Sequence, residues 1–253
     1  MKGKITQEPK QTFRLNKFLA ITKAAPSRRS ADDLITQRKV KVNGTIETNH
    51  STQIDPEVDI VEFQGKKLQI QTEFKYILLN KPKDCITTKN DERNRRTVYE
   101  FLKYDFKEDL KPVGRLDRNT TGLLLFTNNG DFINKLTHPS NQVAKIYQAT
   151  LDRNVTKTDF QQLIKGAILE DGEIIPDEIA LLDNLNQIGI QIHSGKNRIV
   201  RRYFEHFGYQ VRQLDRVFFA GLTKYKLPRG KARELTPKEL KFVNSQVKQS
   251  KKN

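Results

Sequence analysis

The chain has very little of what disulfide-bonded or cysteine-ligated proteins rely on. Cys85 is its one cysteine, so no disulfide framework and no cysteine-based zinc site can form within it. A lone cysteine reads first as a small buried hydrophobe. The four histidines, His50, His138, His193 and His206, show no metal-ligand spacing. Tryptophan is absent, and methionine occurs only at the first position. The opening residues, MKGKITQEPKQ, contain no apolar run, which argues against a signal peptide or a membrane span there. A cytoplasmic protein with no membrane partner is expected. Acidic residues are also short: 30 Asp and Glu stand against 46 Lys and Arg, a net charge of +16. Such an excess strains a compact fold by self-repulsion, and a polyanion relieves it. Nucleic acid is the commonest polyanionic partner.

The 253 residues allow one large domain with a small appendage. Residues 1–12 are polar and basic and read as disordered. Residues 13–70 read as a small α/β unit. Leu15, Phe18, Leu19 and Thr22 share one helical face, and Ser27 suits the N-cap of a second helix with Ala31, Leu34 and Ile35 inward. Lys39–Val42 alternates like a strand and runs into Asn43-Gly44, a strong hairpin signal. A second strand pair flanks Gln64-Gly65. Arg28 and Arg29 fall in the first turn of the second helix, where the helix dipole disfavours cations. A bound anion would reverse that argument. With Arg14, Lys17, Arg38 and Lys41 they read as a phosphate-binding face. Residues 71–240 form the larger unit, with a boundary near 70–74. Residues 241–253, KFVNSQVKQSKKN, carry four lysines and no acid and read as a basic disordered tail.

Three stretches of the larger unit stand out. In PVGRLDRNTTGLLLFTNNGD, residues 112–131, Leu123–Thr127 reads as a strand buried on both faces. Asn128-Asn129-Gly130 reads as a turn, and Asp131 as the cap of a short helix. Before that strand lies a polar loop in which Arg115 and Arg118 flank Asp117. Two neighbouring guanidiniums keep a partly desolvated carboxylate ionised, although a turn aspartate capping local amides would look the same. In KIYQATL, residues 145–151, strand alternation puts Lys145, Tyr147, Ala149 and Leu151 on one face. A tyrosine there can stack on a base while the lysine meets a phosphate; a core-edge tyrosine is the plainer alternative. In GKNRIVRRYFEHFGY, residues 195–209, Ile199, Val200, Tyr203, Phe204 and Phe207 make a helical stripe. Asn197 or Ser194 suits its cap and Gly208 its end. Arg198 and Arg201 flank the stripe, and Lys196 and Arg202 add charge.

Together these stretches resemble one family. RLNKFLA, PSRRSADDLI and RKVKVNG are similar to the RNA-binding module named after ribosomal small-subunit protein S-four, with Thr22-Lys23-Ala24-Ala25 where that module has a glycine-containing helix end. GRLDRNTTGLLLFTNNGD, KIYQATL and GKNRIVRRYFEHFGY resemble the RsuA/RluB type of ribosomal RNA pseudouridine synthase. Departures are Lys83-Asp84 where the family has a glycine after Lys-Pro, Asn129 where it has aspartate, and Ala149 where valine is common. The resemblance implies an α+β protein: the small RNA-binding module, then a catalytic domain with a mixed, largely antiparallel sheet flanked by helices. It implies isomerisation of a uridine in ribosomal RNA, with large-subunit RNA favoured, and no cofactor or metal. Asp117 corresponds to the essential carboxylate, Tyr147 to the strand tyrosine, Arg201 to the arginine pairing with the aspartate, and Leu214 to an apolar residue near the target base. Arg115, Arg118, Lys145, Lys196, Arg198 and Arg202 are then RNA contacts beside those of the small module. A monomer acting on ribosomal RNA, free or in a pre-ribosomal particle, is expected. The competing reading is a ribosome-assembly factor that binds RNA without catalysis.

Overall fold

The computed structural model describes residues 12–70 and 73–249. The expected disorder of residues 1–12 concerns positions that, except for Thr12, lie outside the described residues. The chain divides into two compact units between Glu73 and Phe74.

In the first unit, β1 (Phe13–Arg14) leads into α1 (Leu15–Ile21), which buries Leu15, Phe18 and Leu19. Thr22 ends that helix, its hydroxyl donating to the Phe18 carbonyl at 3.0 Å. Lys23 then takes a left-handed φ of 61°, in the segment where the resembled module carries glycine. A side chain in that conformation costs roughly 1 kcal/mol. Ser27 caps α2 (Arg28–Thr36), accepting from the Ser30 amide at 3.1 Å. Ala31 and Ile35 point inward. β2 (Val40–Val42), β3 (Thr45–Ile46), β5 (Val61–Phe63) and β6 (Lys66–Lys67) form a sheet in the order β3-β2-β5-β6, while β4 (Gln53–Ile54) pairs with β1. Asn43 at φ 52° and Gly44 at φ 82° supply the two left-handed positions that a two-residue hairpin turn needs.

The second unit is built on a nine-stranded sheet. Its strands are β7 (Tyr76–Lys81), β8 (Lys111–Pro112), β9 (Thr120–Thr127), β10 (Lys145–Leu151), β13 (Glu178–Leu181), β14 (Gln187–Ile192), β15 (Val211–Phe219), β16 (Leu222–Thr223) and β17 (Ala232–Glu234). The main path runs β13-β14-β10-β15-β9-β7-β17. Within it β9–β15 is parallel and every other ladder is antiparallel, so the sheet is mixed and largely antiparallel. The helices are α3 (Gly130–Thr137), α4 (Lys157–Lys165), α5 (Ile199–His206) and α6 (Pro237–Gln249). A short hairpin, β11 (Ala167–Leu169) with β12 (Gly172–Ile174), stands apart from the sheet. Two apolar clusters cover its faces. One gathers Leu79, Tyr147, Ile190 and the α5 stripe. The other gathers Leu78, Leu125, Phe132 and Val243. Leu123, Leu124, Leu125 and Phe126 are fully buried, as expected of a strand covered on both faces.

Three local expectations are corrected. Asn129, not Asp131, caps α3, accepting from the Phe132 amide at 3.1 Å; an asparagine oxygen caps as well as a carboxylate. α5 begins without a side-chain cap, because Arg198 occupies its N-cap in a left-handed conformation at φ 46°. Residues 241–253 do not begin as a disordered tail, since α6 continues to Gln249. Leu240 and Val243 lie three residues apart and pack against the second apolar cluster; the lysines around them obscured that spacing.

Candidate active site

The loop carrying Asp117 is held by atoms outside it. Thr87 Oγ1 donates to the Leu116 carbonyl at 2.8 Å and accepts from its amide at 3.3 Å. Lys81, the last residue of β7, is fully buried. Its ammonium donates to the carbonyls of Asp117 at 3.0 Å, Arg118 at 3.2 Å, Thr120 at 2.8 Å and its own neighbour Pro82 at 3.2 Å. Burial pulls the Lys81 pKa below the usual lysine value; Cys85 and Asp117 oppose that pull. Lys81 escaped the sequence reading, although strand alternation puts it in step with the buried Ile77 and Leu79. Asp84 sits at φ 65°, in the Lys83-Asp84 step where the family has glycine. Aspartate tolerates that conformation, and its carboxylate pairs with Arg118 Nε at 2.5 Å.

The loop then enters β9 beside β15. Leu214 is the register partner of Thr120, Asp215 of Thr121, and Arg216 of Gly122. Gly122 has φ +105°, and a Cβ there would lie 2.2 Å from the Arg216 carbonyl oxygen. Gly122→Ala is therefore expected to cost about 3 kcal/mol or more, from backbone strain plus a main-chain clash. Urea unfolding measures it, and a loss under about 1 kcal/mol would show that the ladder can give way.

A cavity of about 600 Å³ opens beside Asp117. Asp117, Lys145, Tyr147, Leu214 and Arg216 line it. Asp117 is half-buried, while Tyr147 is 9% and Leu214 5% exposed. Tyr147 faces Arg216 across the β10–β15 ladder. Lys145, expected to meet a phosphate, donates to the carbonyls of Val143 at 3.0 Å and His193 at 2.8 Å. Burial, helped by Arg216 and opposed by Asp177, brings the Lys145 pKa down to about 8. A second groove adjoins this cavity, with which it shares Asp117, Arg115, Lys196 and Arg198. Arg95, Arg115, Arg118, Lys196 and Arg198 line it, which gives it a strongly basic wall. Of these, Arg95 had not been singled out from the sequence.

Arg201 is 8% exposed and does not line the cavity. Its Nη1 donates to the Val211 carbonyl at 2.8 Å, and its Nη2 is buried without a partner. The expected hydrogen bond between Asp117 and Arg201 is not formed. The two groups sense each other only through their charges: burial, then Arg198, lowers the Arg201 pKa, while Asp117 and Glu205 raise it. The Val211 carbonyl takes the guanidinium instead. Arg202 and Lys196, expected to face RNA, are engaged with the β11–β12 turn. Arg202 forms a bidentate pair with Asp171 at 2.9 and 2.5 Å, and Lys196 donates to the Asp171 carbonyl. Arg115 and Arg198 are exposed. In the first unit, Arg14, Arg28, Arg29 and Arg38 are exposed, while Lys17 is half-buried with its ammonium 5.0 Å from the Phe13 ring centroid.

Known proteins show the same construction. The sequence model of the family described as RNA pseudouridylate synthase matches residues 75–206. That of the S4 domain matches residues 13–60. Ribosomal large subunit pseudouridine synthase B of Bacillus subtilis is 40% identical over 237 residues, covering 92% of this chain and 96% of that protein. An uncharacterized RNA pseudouridine synthase of Aquifex aeolicus is 39% identical over 232 residues, covering 90% and 92% respectively. A crystal structure of a pseudouridylate synthase is similar with a TM-score of 0.65 at 31% identity, covering 91% of this chain and 99% of that one. These matches favour the isomerase over an RNA binder without catalysis, and the chain belongs to the RNA pseudouridylate synthase family, as a member of the RsuA/RluB type with an S4 module.

Proposed function

We propose that the chain converts one uridine of ribosomal RNA, in the large subunit, to pseudouridine, with Asp117 as the reacting carboxylate. The observation that carries this reading is a half-buried carboxylate on a loop pinned by buried Lys81, lining a cavity together with Tyr147 and Leu214. A uridine inside a duplex hides its glycosidic bond, so the target leaves the stack and enters the cavity. Tyr147 stacks on its base, and Leu214 packs against it. Asp117 then attacks the anomeric carbon or removes the neighbouring ring proton. The base turns, rejoins the sugar through its ring carbon C5, and loses the proton from that carbon, a step in which the Tyr147 hydroxyl assists. Arg201 supplies the nearby positive charge, and closure over the substrate strengthens its attraction to Asp117 by removing water. Arg115 fills the space left by the flipped base, while Arg118, Arg198, Lys196, Arg202 and Lys145 contact or support the RNA.

The S4 module, residues 13–70, raises affinity through phosphate contacts from Arg14, Lys17, Arg28, Arg29 and Arg38. The protein acts as a cytoplasmic monomer on ribosomal RNA or on a pre-ribosomal particle. Incubation with unmodified ribosomal RNA followed by pseudouridine mapping tests the reading; no pseudouridine in large-subunit RNA would reject it. The module's role has its own test. Replacing Arg14, Arg29 and Arg38 together with Gln is expected to reduce the slope of log affinity against log salt by about 2–3, one counterion for each lost phosphate contact. An unchanged slope would take the module off the RNA.

A further inference from the structure

Arg216 is a buried cation that the roles above leave unused. It is 3% exposed and lines the cavity. Its Nε donates to the Leu123 carbonyl at 2.8 Å, its guanidinium carbon lies 4.5 Å from the Phe219 ring centroid, and its Nη2 has no partner. Among the described residues no carboxylate pairs with it. Lys145 lines the same cavity, close enough for Arg216 to depress its pKa, and it too has carbonyls rather than an acid for partners. Asp117 lines the same cavity and Asp177 acts on Lys145 only through its field, so neither cation has a carboxylate hydrogen-bonded to it. Desolvated cations held that way are costly, unless further negative charge arrives beside them during the reaction.

The isomerisation supplies that charge. When the C1′–N1 bond breaks, its electron pair leaves with N1, and the detached uracil is an anion with charge spread onto O2 and O4. This holds if Asp117 forms an ester with C1′. It holds equally if Asp117 takes the C2′ proton and a C1′–C2′ double bond forms. The pair is returned only when C5 bonds to C1′, as Asp117 leaves the ester or gives the proton back to C2′; C5 afterwards loses its own proton and N1 takes one up, so the ring ends neutral. A base stacked on Tyr147 lies beside Arg216, because directly opposed residues stand about 4.5–5.5 Å apart at Cβ and these two are register partners. Resting on the reading of the cavity as the uridine site, we propose that Arg216, seconded by Lys145, stabilises the detached uracil anion and is a catalytic residue of the isomerisation. A preorganised cation placed where charge develops acts on turnover more than on binding.

Arg216→Gln is accordingly expected to lower kcat on unmodified ribosomal RNA by about 10²–10³. KM should stay within about twofold, because the neutral ground-state base gains little from the charge. Arg216→Lys, which keeps the charge, is expected to recover at least tenfold of that loss. A fall in kcat under about tenfold for Arg216→Gln, or a loss carried entirely by KM, would overturn the proposal. A binding measurement needs no turnover. Barbiturate has the ring of uracil with a hydroxyl at C6 and is an anion at neutral pH. Ligand-observed NMR should show the wild-type protein preferring barbiturate to uracil by about tenfold or more, with the preference lost in Arg216→Gln. Equal affinities in the wild-type protein would overturn the proposal even if the Gln variant fails to fold. If the wild-type protein makes no pseudouridine, the proposed function fails, and the barbiturate preference still decides whether Arg216 holds a pyrimidine anion.

Discussion

Asp117→Asn is expected to abolish pseudouridine formation, by at least about 10³-fold, while leaving RNA affinity and thermal stability nearly unchanged. The substitution keeps size and hydrogen-bonding capacity and removes the charge. Loss of a group that takes part directly in bond making or proton transfer costs about 10²–10⁴ in rate, and here neither neighbouring carboxylate is positioned to replace it. Asp84 is committed to Arg118, and Asp215 is held by Lys224, Arg229 and Thr121. Stability should survive because what anchors the loop at Asp117 is its backbone carbonyl, bonded to Lys81, and an asparagine carbonyl accepts the same bond. Affinity should survive because phosphate contacts dominate RNA binding. Tyr147→Phe is the companion: it keeps the stacking ring and removes the hydroxyl, so turnover falls while binding holds. Mapping on unmodified ribosomal RNA, with affinity by filter binding and melting by calorimetry, checks all three properties. An Asp117→Asn enzyme that turns over at a rate comparable with the parent would remove Asp117 from the mechanism.

Lys81→Met should behave in the opposite way and damage stability first. The ammonium has no access to water and holds four carbonyls, three of them in the segment that carries Asp117. Methionine fills similar space and donates nothing. Each buried carbonyl left unmatched costs about 1–3 kcal/mol, offset in part because a desolvated cation is no longer buried. A net loss of about 3–5 kcal/mol is expected from urea unfolding, by analogy with breaking other buried charged contacts. Activity should fall with it, since the backbone that aims Asp117 loses its anchor. A Lys81→Met protein as stable as the parent would mean that the loop holds itself, with Thr87 alone sufficient.

Much of the architecture was legible because local physics and tertiary packing agreed. The helical stripes at Leu15–Leu19 and Ile199–Phe204, the Ser27 cap, and the Asn43-Gly44 and Gln64-Gly65 turns each follow from spacing and side-chain type. The strand at Lys145–Leu151 and the buried run at Leu123–Thr127 follow in the same way. The family was legible for a different reason: long motifs such as GRLDRNTTGLLLF tie many residues to one arrangement. Net charge of +16 pointed to a polyanion without regard to shape.

What the sequence could not determine depended on where distant segments meet. Lys81 looked like the end of a strand, and only the fold brings the carbonyls of Asp117, Arg118 and Thr120 around it, 36 to 39 residues away. Arg201 looked like the ion-pair partner of Asp117, but the fold gives its Nη1 to the Val211 carbonyl. Arg202 and Lys196 looked like free RNA contacts until the Asp171 turn met them. Arg216 looked like one more basic residue in a basic chain; the β10–β15 and β15–β9 ladders put it in the cavity wall beside Tyr147. Turns, the stripes of α1 and α5 and the Ser27 cap are set by neighbours along the chain, so sequence by itself determined them, whereas the starts of α3 and α5 and the buried face of α6 depended on what packs there. The environment of a buried charge is set by whichever carbonyls, rings and acids fold around it, and that only the tertiary structure decided.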